Sequence, residues 1–139
     1  MPYPEQMVAP MRAELVAMGV QELRTAGEVD EFFANQEGTA LLLINSVCGC
    51  AAGSARPAVN QALAHDRRPD RAATVFAGQD LEATERAREL IGDVPPSSPS
   101  LALMKDGELV HFVPRHLIEG READAVAVNL TEAFVAYCG

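Results

Sequence analysis

Cations are scarce in this chain: 11 lysines and arginines stand against 20 aspartates and glutamates, giving a net charge of −9. That balance argues against a nucleic-acid surface, which needs clustered cations to displace counterions. It serves solubility and says nothing specific about a substrate. No apolar run approaches the roughly 20 residues a membrane span requires. The opening Met1-Pro2-Tyr3-Pro4-Glu5 has neither the basic nor the apolar region of a secretory signal. The cytoplasm is therefore the expected compartment, with neither membrane nor nucleic acid as a partner. Cysteines number three, an odd count too small for a disulfide scaffold; in a cytosolic chain, closely spaced ones point to redox or metal chemistry. Repeats, low-complexity tails and linkers are also missing, so the 139 residues read as one domain spanning 1–139. The oligomeric state is left open.

What is present is a regular alternation of patterns. Residues 5–18 read as an amphipathic helix with Met7, Met11, Leu15 and Met18 on its apolar stripe, Arg12 and Glu14 off it, and Gly19 as its stop. Thr25-Ala26-Gly27-Glu28 is a capping box that opens a second helix with Val29, Phe32 and Phe33 inward. Thr39–Asn45 is a continuous apolar run of the kind covered on both faces in a parallel sheet. A helix is expected over Ala51–His65, kinked by Pro57, which lacks an amide proton and clashes with the preceding turn. Ala72–Ala77 reads as a second buried strand, and Asp80 as the cap of a helix through Ile91 with Leu81, Ala87, Leu90 and Ile91 apolar.

After the Pro95–Pro99 stretch, Leu101–Met104 and Leu109–Val113 flank Asp106-Gly107, whose positive φ angles suit a tight antiparallel hairpin. Glu122–Tyr137 closes the chain as a helix with Ala123, Val126, Ala127, Leu130, Phe134 and Tyr137 along one face. A parallel βαβ unit followed by an antiparallel hairpin predicts an α/β fold: a mixed central sheet with helices on both faces. That is a thioredoxin-like architecture with an N-terminal helical extension.

Cys48-Gly49-Cys50 sits between the first buried strand and a helix. A strand delivers such thiols to a sheet edge, and a helix N-terminus stabilises a thiolate. Cys48, nearer the loop, is the expected attacking sulfur; Cys50, at the first helical turn, is the expected resolving one. One intervening residue would close a small, strained disulfide ring, and Gly49 supplies the torsional freedom such a ring needs. Gly49, Ala51, Ala52 and Gly53 keep bulk away from the sulfurs. Two other readings stay open: a pair of buried thiols acting as small hydrophobes, and a metal site. Zinc wants four ligands, so His65, His111, His116 and Cys138 would have to converge on the pair. Cys138 reads as a surface thiol or a mobile third thiol. Arg56, six residues past Cys50, is a candidate for positive potential at the site or for a solvated surface residue.

The segment Ser98-Pro99-Ser100 with the following strand resembles the thioredoxin-fold segment that carries a cis-proline. The resemblance implies that Pro99 packs against the cysteines and that Ser98 and Pro99 shape a substrate-docking surface. Longer stretches resemble the bacilliredoxin family over nearly the whole chain. They are Asn45–Gly53 with Ala55-Arg56-Pro57, Thr74–Asp80, Pro95–Ser100, Arg115-His116, Ile118–Arg121 and Met11–Leu15. This resemblance implies a cytosolic thiol–disulfide oxidoreductase that removes bacillithiol from S-bacillithiolated client proteins, with Cys48 and Cys50 catalytic. Bacillithiol would be a thiol co-substrate and not a bound cofactor. Its malate carboxylates would call for cations, with Arg56 and Arg115 as candidates, and Gly49, Ser98 and Pro99 would line the substrate site. A general disulfide isomerase or reductase is the alternative, and a thiolate metal-binding module a more distant one.

Overall fold

Leu41-Leu42-Leu43-Ile44 dictates the centre of the molecule, because side chains alternate across a strand and every one of these is apolar. The computed structural model describes residues 3–92 and 94–138. Met1 and Pro2, the first residues of the opening read for a secretory signal, lie outside the described residues. In chain order the elements are α1 (Glu5–Val16), β1 (Gln21–Glu22), α2 (Ala26–Ala34), β2 (Thr39–Asn45), a π-helical turn (Ala51–Ala55), α3 (Arg56–Leu63), β3 (Arg71–Phe76), α4 (Leu81–Ile91), β4 (Ser100–Lys105), β5 (Glu108–Val113), a 3₁₀ turn (Arg115–Leu117) and α5 (Ala123–Tyr137).

The sheet order is β1-β3-β2-β4-β5, with β1, β3 and β2 parallel and β4 and β5 antiparallel to their neighbours. Strand β2 is buried along its whole length. Leu41 and Leu43 pack with Leu101 and Leu103 against α1, α3 and α5. Ala40, Leu42 and Ile44 pack with Ala102 and Met104 against α2 and α4. Each fully buried leucine contributes about 2 kcal/mol of transfer free energy. The β4–β5 turn has Asp106 at φ 50° and Gly107 at φ 84°, the two positive angles its Asp-Gly sequence accommodates. The capping box is formed: the Thr25 hydroxyl accepts from the Glu28 amide, and the Glu28 carboxylate accepts from the Thr25 amide.

Helix α1 buries most of its expected stripe, with Leu15 fully buried and Met11 and Met18 half-buried. Val8, Arg12 and Leu15 face inward, while Met7 is 46% exposed. Arg12 is tolerated inside because its guanidinium meets Glu5 (2.8 Å), Glu22 (2.9 Å) and Asp80 (2.6 Å), and lies over the Phe76 ring. The same contact corrects the expected cap of α4. Asp80 occupies the cap position but gives its carboxylate to Arg12 and makes no side-chain capping bond. On α4 the inward residues are Ala83, Thr84, Ala87 and Ile91, and Leu81 is exposed. The single helix expected over Ala51–His65 is instead a π-helical turn followed by α3, and the Arg56 amide reaches back to the Ala51 carbonyl. The wider turn shifts the hydrogen-bond register ahead of the proline, which occupies the first turn of α3 where its missing amide costs little.

Candidate active site

Strand direction brings the site residues to one edge of the sheet. Strand β2 ends at Asn45 and β4 begins at Ser100, which pairs with Ile44. Pro99 therefore lies beside the mouth of β2, and the residues following β5 arrive at the same edge. The peptide bond between Ser98 and Pro99 is cis. Pro99 is buried and Ser98 half-buried.

Helical backbone starts immediately after Cys48, whose carbonyl accepts from the Ala51 and Ala52 amides at 3.0 and 3.3 Å. Cys48 thus holds the cap position, and its sulfur accepts from the Cys50 amide at 3.4 Å, as a capping side chain does. Both cysteines are free thiols and half-buried. The Cys48 pKa lies below the ordinary thiol value. A hydrogen bond from the Cys50 thiol is the main cause, and the Cys50 amide, the Arg115 charge and the Ala51 amide add to it against the opposing effect of burial. Cys50 is pushed up, first by burial and then by its bond to Cys48 and the charge on that sulfur. The two shifts run in opposite directions, so of the pair Cys48 is the sulfur that ionises first and Cys50 the one that keeps its proton longer.

The cation at the sulfur is Arg115. Its Nη2 donates to Cys48 Sγ at 3.3 Å, its Nη1 to the Ser98 carbonyl at 3.2 Å, and its Nε to Glu119 Oε2 at 2.6 Å. Its backbone amide donates to Ser97 Oγ at 3.2 Å. One guanidinium therefore spans the Cys48 sulfur and the cis-proline loop. Beside it opens a cleft of about 560 Å³, walled by Pro95, Pro96, Phe112 and Pro114 with Arg115 and Glu119 on its rim. Sequence reasoning placed Arg115 only as a cation for a ligand. Its contact with Cys48 was readable from topology, because a residue just past the strand next to β4 must land on the edge that carries Pro99.

Arg56 is elsewhere. It is 3% exposed and bonds Glu14, the Asn45 side chain and the Ser46 carbonyl, so it is neither a solvated cation nor a group facing substrate. Gly49 is exposed beside the sulfurs; a Cβ there would meet nothing within 4 Å. Cys138 is a core residue at 3% exposure, not a surface thiol, and its pKa is raised by burial. It neighbours Thr39, at the far end of β2, about 20 Å from Cys48 at the usual rise per strand residue. His111 lies within β5 and pairs with Asn129, His65 pairs with the Arg67 backbone, and His116 is exposed on the 3₁₀ turn. Among the described residues, no group of three or more His, Cys, Asp or Glu is placed to hold a metal ion. No helix of the described residues is long and apolar enough to cross a membrane.

Comparison with known proteins agrees with this geometry. A family model described as disulphide isomerase matches residues 3–138. A protein of Salinibacter ruber named bacilliredoxin is 63% identical over 141 aligned positions, covering 100% of this chain and 83% of its own. Another so named, from Bacillus cereus, is 53% identical over 98% of this chain and 95% of its own. Among solved structures, Fasciola hepatica thioredoxin matches with a TM-score of 0.59 at 19% identity, over 85% of this chain and 99% of that one. Schistosoma mansoni thioredoxin matches at 0.56 and 17% identity, over 83% and 97%. These two likenesses establish a thioredoxin fold.

Proposed function

The chain belongs to the bacilliredoxin family and is a thiol–disulfide oxidoreductase, and from that premise we propose that it removes bacillithiol from S-bacillithiolated proteins in the cytoplasm. The observation that carries the reading is the Cys48 sulfur, which accepts from the Cys50 amide and from Arg115, a residue that also lines the neighbouring cleft. The Cys48 thiolate attacks the bacillithiol sulfur of the mixed disulfide. That S–S bond breaks, the client leaves as a thiolate that takes a proton from water, and Cys48 carries the bacillithiol. Capture removes the negative charge that held the Cys50 proton in place, so Cys50 becomes easier to ionise at the moment it is needed. Its thiolate then attacks Cys48 Sγ, expelling bacillithiol and leaving a Cys48–Cys50 disulfide. Alternatively, a second bacillithiol attacks and leaves as bacillithiol disulfide.

Docking uses the same edge. The malate carboxylates of bacillithiol fit the Arg115 guanidinium, whose present partner Glu119 is exposed and screened by solvent. Gly49 leaves room beside the sulfurs, and Arg115 ties Ser98, next to Pro99, to the same edge. The description of the matching family model favours a second reading, a general disulfide isomerase acting without bacillithiol. The test is the rate of release of bacillithiol from a thiolated client against the rate of repair of a scrambled disulfide substrate. The expected result is release that Cys48→Ala abolishes, with slow repair of the scrambled substrate. Full release by Cys48→Ala would refute the proposal; fast repair with slow release would transfer it to the isomerase.

A further inference from the structure

Arg56 is a buried arginine that touches neither sulfur, and its contacts form a continuous chain to the attacking one. Its Nε donates to Glu14 Oε2 on α1 at 3.0 Å. Its Nη1 donates to Asn45 Oδ1 at 2.9 Å and to the Ser46 carbonyl at 3.2 Å, the last residue of β2 and the first of the active-site loop. Asn45 Oδ1 also accepts from the Ser46 amide at 2.9 Å, and Ser46 Oγ accepts from the Cys48 amide at 2.9 Å. With that amide held, the Cys50 amide is turned toward the Cys48 sulfur. Asn45 and Ser46 are buried at 1% and 7% exposure, so water cannot easily replace these bonds.

We propose that Arg56 is a positioning residue for Cys48, holding the end of β2 and the first loop residue so that the Cys48 sulfur faces its amide and guanidinium donors, and that Glu14 makes helix α1 part of this device. The inference rests on the reading of Cys48 as the attacking thiol. A compact ammonium donates to separate acceptors without the planar fork, so lysine keeps the charge and loses the geometry that spans Glu14 and Asn45. That difference separates positioning from bulk stabilisation. Glu14 is 41% exposed and touches no reacting atom, so its removal tests the same device with little risk to folding.

The experiment uses Arg56→Lys and Glu14→Gln in the full chain. It reads the pH profile of alkylation at Cys48 by peptide mapping, alongside thermal unfolding. Folded Arg56→Lys should alkylate at Cys48 about fivefold more slowly below the thiol pKa, the size of one lost hydrogen bond. Its profile should move to higher pH, and Glu14→Gln should follow in the same direction by less. Folded Arg56→Lys with an unchanged profile would overturn the proposal. If that variant fails to fold, Glu14→Gln decides: a shifted profile supports positioning and an unchanged one overturns it. Alkylation that maps to Cys50 in the unaltered protein would instead overturn the reading of Cys48 on which the proposal stands.

Discussion

Replacing Arg115 by glutamine removes the positive charge at the Cys48 sulfur while leaving a side chain able to donate to the Ser98 carbonyl. Cys48 then keeps the Cys50 thiol, its largest stabiliser, together with the Cys50 and Ala51 amides. The loss is therefore partial. Arg115 is accessible to solvent, so its attraction is screened and the effect stays well short of a buried ion pair. Alkylation of Cys48 at pH values below its pKa, where most of the thiol is protonated, should slow by roughly three- to tenfold. The sign reverses with pH. Loss of the cation raises the Cys48 pKa, so the thiolate fraction falls only below that pKa. Well above the pKa of both proteins each is ionised, and the less acidic thiol is the stronger nucleophile, so there the variant should equal or slightly exceed the parent.

Glu119 sharpens the test. In Arg115→Gln its carboxylate loses the guanidinium it shares with Cys48 and is left uncompensated, so Arg115→Gln with Glu119→Gln should recover part of the rate. Stopped-flow alkylation with peptide mapping measures all three proteins. An unchanged rate at acid pH would refute the assignment of Arg115 as the cation that activates Cys48. A slowing that is the same at every pH would refute the electrostatic cause and leave a geometric one.

Three further outcomes follow from the fold. Arg12→Met should destabilise by about 2 kcal/mol in urea unfolding, less than a fully buried pair because Glu5 is half exposed; no loss of stability would mean the three carboxylates find other partners. Cys138→Ala should cost about 1 kcal/mol as a small core truncation and leave the exchange rate unchanged, and a slower rate would contradict its place at the far end of β2. Gly38→Ala should cost about 2 kcal/mol by thermal unfolding, because φ is +75° there and a Cβ would overlap the Asp70 carboxylate that accepts from the Thr39 amide; a neutral substitution would show that the turn relaxes.

The strands were legible because β2 carries an uninterrupted apolar run, β3 one broken only by Thr74, and the hairpin Asp-Gly at its turn. Charged residues were read less well, because burial of a cation depends on partners distant in the chain. Arg12 looked like a surface residue until Glu22 and Asp80 came beside it, ten and 68 positions away. Arg56 was assigned to substrate by its closeness in sequence to Cys50, whereas helix α3 turns it inward to Asn45 and Ser46. The two-residue strand β1 is too short to show a period and exists through its pairing with β3. At the site, the thiols and Pro99 were visible as motifs, and the guanidinium that touches Cys48 was hidden by its place 67 positions further along the chain.

The measurement that bears most directly on Cys48 is mass spectrometry of the Cys50→Ala protein after one turnover with a bacillithiolated client. The expected product is the client as a free thiol and one bacillithiol on Cys48, stable until a second thiol is added. An adduct of the client itself on Cys48, or bacillithiol found on no residue of the protein while the client is released, would contradict the proposed transfer.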